Sequence, residues 1–173
     1  MYTGSLGIPN AMNYCIEAMN QLIECDIAMV IIGNGSEKKA LVEQSKNKNV
    51  FFFDSVPKNT IQTVLSFADI CIISWLDLEI YEYGISPNKL FDYMFAGKAI
   101  IQAVNSPYNI IGESHCGINI KPENIKEIQN AICKLSDLSN DELQLMGAIG
   151  KEKVLNEFTY EKLGEKLLYE ALN

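Results

Sequence analysis

A lysine and an aspartate lie three residues apart near the middle of the chain, in a segment suited to binding an anion. A helix is predicted over residues 88–96. Just before it, Ser86 is a typical N-cap residue, and Pro87 is typical of the first position of a helix. The first turn of such a helix directs free N–H groups and the positive end of its dipole forward. Lys89 and Asp92 lie in these first turns, within reach of a phosphate and a sugar hydroxyl. The segment therefore predicts a nucleotide-sugar site.

The same segment also has the pattern of an ordinary core helix. Leu90, Phe91, Met94 and Phe95 recur at helical spacing and are expected to pack inward. Packing alone leaves unexplained why a lysine and an aspartate occupy the remaining face beside the helix start. We therefore favour a binding role in addition to the packing role.

A second candidate element is the glycine-containing stretch over residues 3–10. Gly4, Ser5 and Gly7 follow a short predicted strand and precede a helix. Glycine lets the backbone approach a ligand closely, although a plain tight turn between strand and helix would have the same composition. The position after the first strand favours a ligand, because open parallel sheets bind ligands beyond the carboxyl ends of their strands.

Two other segments carry weaker signals. The loop over residues 75–85 contains the only tryptophan, two tyrosines and three carboxylates; if it acts as a lid, Glu82, Tyr83 and Gly84 are the predicted contacts. A solvated surface loop is the alternative.

The turn over residues 33–35 resembles a dinucleotide fingerprint but has Lys38 in place of the third glycine. We therefore predict a turn followed by a helix capped by Ser36.

Short apolar runs alternate with amphipathic segments along most of the chain. This rhythm predicts an α/β, Rossmann-like single domain over residues 1–173, with about six mostly parallel strands and helices on both faces. The predicted strands are 2–3, 28–32, 50–53, 70–74, 99–103 and 117–120. The predicted helices between them are 10–24, 37–46, 60–67, 88–96 and 109–113, and a helical tail follows over 122–135, 141–158 and 160–171.

Composition narrows the possible functions. The chain has 173 residues, 48% apolar content and a formal net charge of −8, which argues against nucleic acid as a partner. No apolar run approaches the roughly 20 residues of a membrane-spanning helix. The five cysteines are odd in number and widely spaced, so we expect reduced thiols in a cytoplasmic protein. With a single histidine, His115, we expect no metal and no cofactor.

With these residues in view, the chain resembles the C-terminal, donor-binding half of retaining GT-B glycosyltransferases of the glycosyl transferases group 1 type. Segment 86–98 is similar to the Ser-Pro-x-Lys-Leu-(Phe)-acid-Tyr-Met-x-x-Gly-Lys signature of one subgroup. In that family two glutamates separated by seven residues contact the donor, and the second binds the ribose. Asp92 occupies the second position and Gly84 the first, while Glu82 lies close by.

The resemblance implies which residues do what. The catalytic candidates are Lys89, which would stabilise the diphosphate leaving group, and Asp92, which would bind the ribose. The implied nucleotide-binding and diphosphate-binding set is Gly4, Ser5, Gly7, Pro87, Asn88, Lys89, Leu90 and Asp92, and the implied donor-sugar loop is Glu82, Tyr83, Gly84 and Ser86. The backbone N–H groups of residues 88–90 are expected to assist Lys89.

The implied function is binding of a UDP-linked or GDP-linked sugar for transfer to a growing polysaccharide or lipid-linked acceptor. The N-terminal, acceptor-binding domain of the family has no counterpart in these residues, so we expect the chain to transfer nothing by itself. The full protein would act in the cytoplasm or at the inner face of the membrane. The alternatives are a stand-alone nucleotide-binding or scaffold module and half of a GT-B nucleotide-sugar epimerase; a dehydrogenase has the least support.

Overall fold

The computed structural model describes residues 1–23, 25–46 and 48–172 and has the alternating order expected from the sequence. The strands are β1 (Tyr2–Thr3), β2 (Met29–Ile32), β3 (Val50–Phe53), β4 (Ile70–Ser74), β5 (Ala99–Ala103) and β6 (Gly117–Ile120). The helices are α1 (Met12–Asn20), α2 (Lys38–Gln44), α3 (Ile61–Ser66), α4 (Asn88–Phe95), α5 (Ile110–Glu113), α6 (Ile125–Ser136), α7 (Asn140–Glu157) and α8 (Tyr160–Leu172). The predicted α/β class is confirmed.

The strands form two three-stranded sheets in the orders β1-β2-β3 and β4-β5-β6, and every described pair is parallel. The two sheets meet at Met1. Its terminal ammonium donates to the Ile70 carbonyl at 2.6 Å, and the Ile72 amide donates to the Met1 carbonyl at 2.9 Å. Because the pairs are parallel, the loops after β1, β3 and β4 emerge at the same edge.

Helices cover both faces of the sheets, as predicted. On one face α1, α2 and α6 bury a cluster that includes Ile16, Leu41 and Ile132. On the other face α3, α4, α5 and α7 bury a cluster that includes Leu65, Tyr93 and Val154. Burial of this apolar surface is the main driving force for folding. All five cysteines are free, and burial raises the pKa of the Cys15 thiol to about 12.

The chain ends in three consecutive helices. A capping box begins α7: the Ser139 hydroxyl accepts a hydrogen bond from the Glu142 amide, and the Glu142 carboxylate accepts one from the Ser139 amide. Over residues 1–23, 25–46 and 48–172, no helix has the length and apolar character needed to cross a membrane.

Four local predictions are wrong. Helix α6 begins at Ile125, with Asn124 rather than a residue before Pro122 at the N-cap. Helix α4 begins at Asn88, with Pro87 rather than Ser86 at the N-cap and no side-chain cap. Ser36 does not cap α2, because Glu37 occupies the N-cap position. Helix α1 ends at Asn20, four residues before the predicted end at Glu24, which lies outside the described residues. Helix ends depend on backbone angles and on tertiary contacts that residue type specifies only weakly.

Candidate functional site

Helix α4 is fixed against β1 by Tyr93. The Tyr93 hydroxyl accepts a hydrogen bond from the Thr3 amide at 2.7 Å and donates one to the Thr3 carbonyl at 3.1 Å. Tyr93 is fully buried, so these bonds satisfy a polar group that would otherwise destabilise the core. The start of α4 is thereby held beside the loop that follows β1.

Lys89 extends from the first turn of α4 into this loop. Its Nζ atom donates to the Tyr2 hydroxyl at 2.7 Å and to Asn10 Oδ1 at 2.8 Å. The ammonium also lies 4.5 Å from the centre of the Tyr2 ring, within the range of a cation–π contact. All of its partners are neutral groups.

Within the described part of the chain, Lys89 forms no ion pair. The ion pairs found among the described residues involve four other lysines, which are Lys38, Lys39, Lys153 and Lys162. Burial lowers the pKa of Lys89 to about 8, because a cation removed from water without a counter-charge is destabilised. A bound anion would supply that counter-charge.

The glycine-containing stretch over residues 3–10, called the glycine loop below, lies against this lysine. Gly4 has a φ of +145° and a β-carbon at this position would lie 3.1 Å from Lys89 Nζ, so only glycine fits without strain or displacement. The exposed Ser5 follows; its carbonyl accepts a hydrogen bond from the Tyr2 hydroxyl at 2.7 Å. Gly7 lies further along and accepts from the Asn10 amide at 3.0 Å, which shapes the turn. Gly4 therefore lies beside Lys89, and Ser5 contacts Tyr2 and Asn10, the two residues that hold Lys89.

Asp92 lies one turn further along α4 and lines a cleft of about 980 Å³. The cleft is lined by Lys58, by the segment Gly84 to Ser86 and by Asn88, together with apolar side chains of α4, α7 and α8. Burial raises the pKa of Asp92, and the nearby Lys58 ammonium opposes that shift. Lys89 and Asp92 thus occupy neighbouring turns of one helix but different surroundings, one beneath the glycine loop and one in the cleft.

The loop before α4 is only partly placed as expected. Glu79–Tyr83 forms a short 3₁₀ helix on which Glu82 is exposed, and Glu82 is not among the residues that line the Asp92 cleft. Tyr83, Gly84 and Ser86 do line it. Three of the four predicted loop residues therefore border the same cleft as Asp92.

One predicted contribution from the helix start is wrong. The Leu90 amide donates to the Pro87 carbonyl at 3.0 Å, and the Leu90 side chain is buried. Its N–H group is therefore used within the first turn and is not free for a ligand. The exposed Asn88 is the first helical residue, where an amide has no partner within the helix.

Sequence reasoning missed the residues that surround Lys89 and Asp92. Tyr2 and Asn10 hold the lysine, Tyr93 fixes its helix, and Lys58 faces the aspartate. A signal existed for Tyr2, because a tyrosine on a buried strand needs a partner for its hydroxyl. In the described part of the chain, no group of three histidine, cysteine, aspartate or glutamate side chains could hold a metal ion.

Comparison with known proteins identifies related sequences and folds. A family model described as "Glycosyl transferases group 1" matches residues 1–137. No curated protein sequence matches the chain.

Solved structures share the fold at low sequence identity. TarM from S. aureus, in complex with Fondaparinux, alpha-GlcNAc-glycerol and UDP, superposes with a TM-score of 0.78 at 16% identity over 97% of this chain and 34% of its own. HepE from Anabaena in complex with UDP-glucose superposes with a TM-score of 0.78 at 14% identity, over 98% of this chain and 48% of its own. The C-terminal domain of LpcC, a glycosyl transferase group 1 family protein from Francisella tularensis, superposes with a TM-score of 0.72 at 16% identity. The match covers 92% of this chain and 85% of the LpcC domain. The chain spans less than half the length of TarM and of HepE.

Proposed function

Because the chain belongs to the glycosyl transferases group 1 family, we propose that it is the donor-binding half of a glycosyltransferase and binds a UDP-linked or GDP-linked sugar. The observation that carries this proposal is the largely buried Lys89 ammonium beside Gly4, which has no counter-charge among the described residues. A diphosphate is the anion that a lysine, a glycine loop and a helix start together suit.

The roles of individual residues follow from their surroundings. Lys89 binds the diphosphate, with the loop Gly4, Ser5 and Gly7 on its open side. Asp92 accepts hydrogen bonds from the ribose hydroxyls, since a carboxylate has two oxygens for a vicinal diol. During transfer the diphosphate leaves with negative charge, and a cation already in place stabilises that charge without reorganising.

The cleft beside Asp92 is the proposed place for the donor sugar. It borders Tyr83, Gly84 and Ser86, whose backbone and hydroxyl groups suit sugar hydroxyls. Glu82 can contribute only if the exposed 3₁₀ helix that carries it moves toward the cleft. In the proposed site Lys89 is the cation that faces the diphosphate, with no metal and no cofactor besides the nucleotide sugar.

A donor-binding half alone cannot complete a transfer, because the reaction also requires an acceptor. We propose that residues 1–173 form a single C-terminal domain and that an acceptor-binding domain completes the enzyme. The similarity to the LpcC C-terminal domain over 85% of its length supports this division. The proposed product is a polysaccharide or a lipid-linked saccharide, made by hexosyl transfer in the cytoplasm, where five free thiols would stay reduced.

A thermal-shift panel tests the proposal with UDP, GDP, a UDP-sugar, a GDP-sugar and NAD. A ligand present at one hundred times its Kd adds about 2.7 kcal/mol to the free energy of unfolding. For a domain of this size the melting temperature should rise by roughly 5–10 °C. NAD contains a diphosphate and ribose as well, so a shift with NAD as large as with UDP or GDP would favour a general nucleotide-binding module. If neither UDP nor GDP moves the melting temperature, the proposed function is wrong.

A second candidate is a nucleotide-binding module without catalysis. The observation that favours it is Gly84, which carries no side chain at the position where the family resemblance implies a glutamate. The two candidates differ in their contact with the sugar. A donor-binding half should bind one UDP-sugar or GDP-sugar more tightly than the free nucleoside diphosphate, whereas a module without a sugar contact should bind both equally.

A further inference from the structure

The Tyr2 hydroxyl has a defined direction. It carries one proton, and that proton is donated to the Ser5 carbonyl at 2.7 Å. The oxygen must therefore act as the acceptor toward Lys89 Nζ, which also lies at 2.7 Å. Because Tyr2 is fully buried on β1, its hydroxyl is fixed with respect to the sheet.

Asn10 holds the same ammonium from the other end of the glycine loop. Its Oδ1 atom accepts from Lys89 Nζ at 2.8 Å, and its Nδ2 group faces the Ser5 hydroxyl at 3.5 Å. The Asn10 backbone is held in turn by the Gly7 carbonyl. Tyr2 and Asn10 thus bind the lysine from the strand before the loop and from the turn after it.

Counting partners over residues 1–23, 25–46 and 48–172, this arrangement leaves one N–H of the ammonium for a ligand. An ammonium has three N–H groups, and two of them donate to Tyr2 and Asn10. Gly4 lies against the same nitrogen and has no side chain to cover it.

We infer that Tyr2 and Asn10 are positioning residues that aim the remaining N–H of Lys89 at a phosphate oxygen of the nucleoside diphosphate, and that binding at alkaline pH adds a proton to Lys89. The inference rests on the proposed function, because it requires a diphosphate in front of Gly4. It adds that Lys89 is neutral in part of the unliganded protein and charged in the complex.

The surroundings of Lys89 support this change of charge. Burial lowers the pKa of Lys89 to about 8. The titratable groups around it are Tyr2 on β1, Cys15 on α1, which faces Tyr2, and Asp92 and Tyr93 on α4; burial raises the pKa of all four. Asn10 is neutral. A diphosphate bound directly to the ammonium would raise the pKa of Lys89.

Calorimetric titration with UDP, and with GDP, at pH 7 and pH 9 tests the inference. Both pH values lie above the second phosphate pKa of about 6, and the ionisation of the uracil or guanine ring near pH 9 is measured with the Lys89→Arg variant and subtracted. At pH 9 about nine-tenths of the free protein would carry neutral Lys89, so affinity should fall about tenfold and nearly one proton should be taken up. Repeating the titration in buffers of different ionisation enthalpy counts that proton. The Lys89→Arg variant, whose charge is permanent, should bind without the proton uptake that belongs to Lys89.

Two variants test the positioning residues. Tyr2→Phe removes only the hydroxyl. The affinity for UDP at pH 7 should fall about tenfold, and the decline of affinity with rising pH should begin at a lower pH than in the unaltered chain. Asn10→Asp places a carboxylate beside Lys89; proton uptake should disappear, and UDP binding at pH 7 should weaken at least tenfold because the new carboxylate occupies the cation. Melting temperatures confirm that each variant is folded.

The outcomes separate this inference from the proposed function. If UDP and GDP do not bind to the unaltered chain, the proposed function fails and the inference fails with it. If UDP binds without proton uptake at pH 9, and Asn10→Asp binds it normally, the inference is overturned while the proposed function stands. Should Tyr2→Phe fail to fold, Asn10→Asp in the loop decides alone.

Discussion

Gly84 and Tyr108 lie so close together that a β-carbon at position 84 would be 2.9 Å from Cε2 of the tyrosine ring. Gly84 also has a φ of +106°, a conformation that side-chain-bearing residues rarely adopt. The backbone of this loop is therefore adapted to glycine, and a carboxylate cannot be added here without rebuilding it. Among the predicted site residues, Asp92 supplies the carboxylate of the cleft.

Gly84→Ala should destabilise the protein. The positive φ is strained for alanine, and the methyl group meets the Tyr108 ring, so we expect a loss of about 1–3 kcal/mol. Urea unfolding measures this as a lower midpoint with an unchanged slope. In the double variant with Tyr108→Ala only the contact is relieved, so part of the loss should remain; a full recovery would contradict the role of the backbone angle.

Gly164→Ala is the matched control. Gly164 lies inside α8, and no heavy atom would lie within 4 Å of an added β-carbon. Alanine is favoured over glycine in a helix by about 1 kcal/mol, so this variant should be slightly more stable than the unaltered chain. The two glycine substitutions should therefore change the unfolding midpoint in opposite directions.

Lys89→Met should raise the stability of the unliganded protein near neutral pH. The folded-state pKa of about 8 lies below the ordinary value of 10.5, so the unfolded chain binds this proton more tightly and burial of the cation is unfavourable below pH 8. That penalty is relieved as pH rises from 8 toward 10.5. We expect a gain of about 1–3 kcal/mol at pH 7 that shrinks above pH 9.

Urea midpoints of Lys89→Met at pH 7 and pH 9.5 check that sign. Lys166→Met, at an exposed lysine on α8, serves as the control and should leave the pH dependence unchanged. A Lys89→Met protein that is less stable at pH 7 would show that the lysine is a structural anchor, contrary to the anion-binding role.

Asp92→Asn should weaken UDP binding by about tenfold while leaving the fold intact, because one acceptor oxygen for the ribose becomes an amide donor. Burial raises the folded pKa of Asp92, so its charged form is disfavoured in the folded state. Stability at pH 7 should stay equal or rise slightly, and the difference should vanish as the pH falls and Asp92 is protonated.

Pyrophosphate distinguishes the two parts of the site for Asp92→Asn. This ligand has no ribose, so its affinity should be unchanged in Asp92→Asn and reduced in Lys89→Met. Equal losses of UDP and pyrophosphate affinity in Asp92→Asn would place the aspartate at the diphosphate instead of the ribose.

Ser139→Ala should remove the capping box of α7 and lower stability by about 1 kcal/mol. For a domain of this size the melting temperature should fall by roughly 2–4 °C. Ser36→Ala is the matched control, because Ser36 precedes α2 without capping it. If both serines have the same effect, the α7 cap contributes less than its geometry indicates.

Sequence patterns fixed most of the architecture. The six strands were predicted to within one residue at either end, because short apolar runs bounded by turns are strong local signals. Helix starts were predicted less well. Pro87 takes the N-cap position expected for Ser86, since a cap depends on backbone angles that several residue types can adopt.

The local chemistry of the proposed site was also present in the sequence, because Lys89 and Asp92 are close neighbours on one helix. Their surroundings were decided only by the tertiary structure. Tyr2 and Asn10 lie 87 and 79 residues from Lys89 along the chain, and the parallel sheet brings them within hydrogen-bond distance. The periodicity of apolar residues predicts which face of a helix or strand packs inward. The burial of Lys89 and the partners of its ammonium depend instead on which elements meet at the carboxyl edge of the sheet.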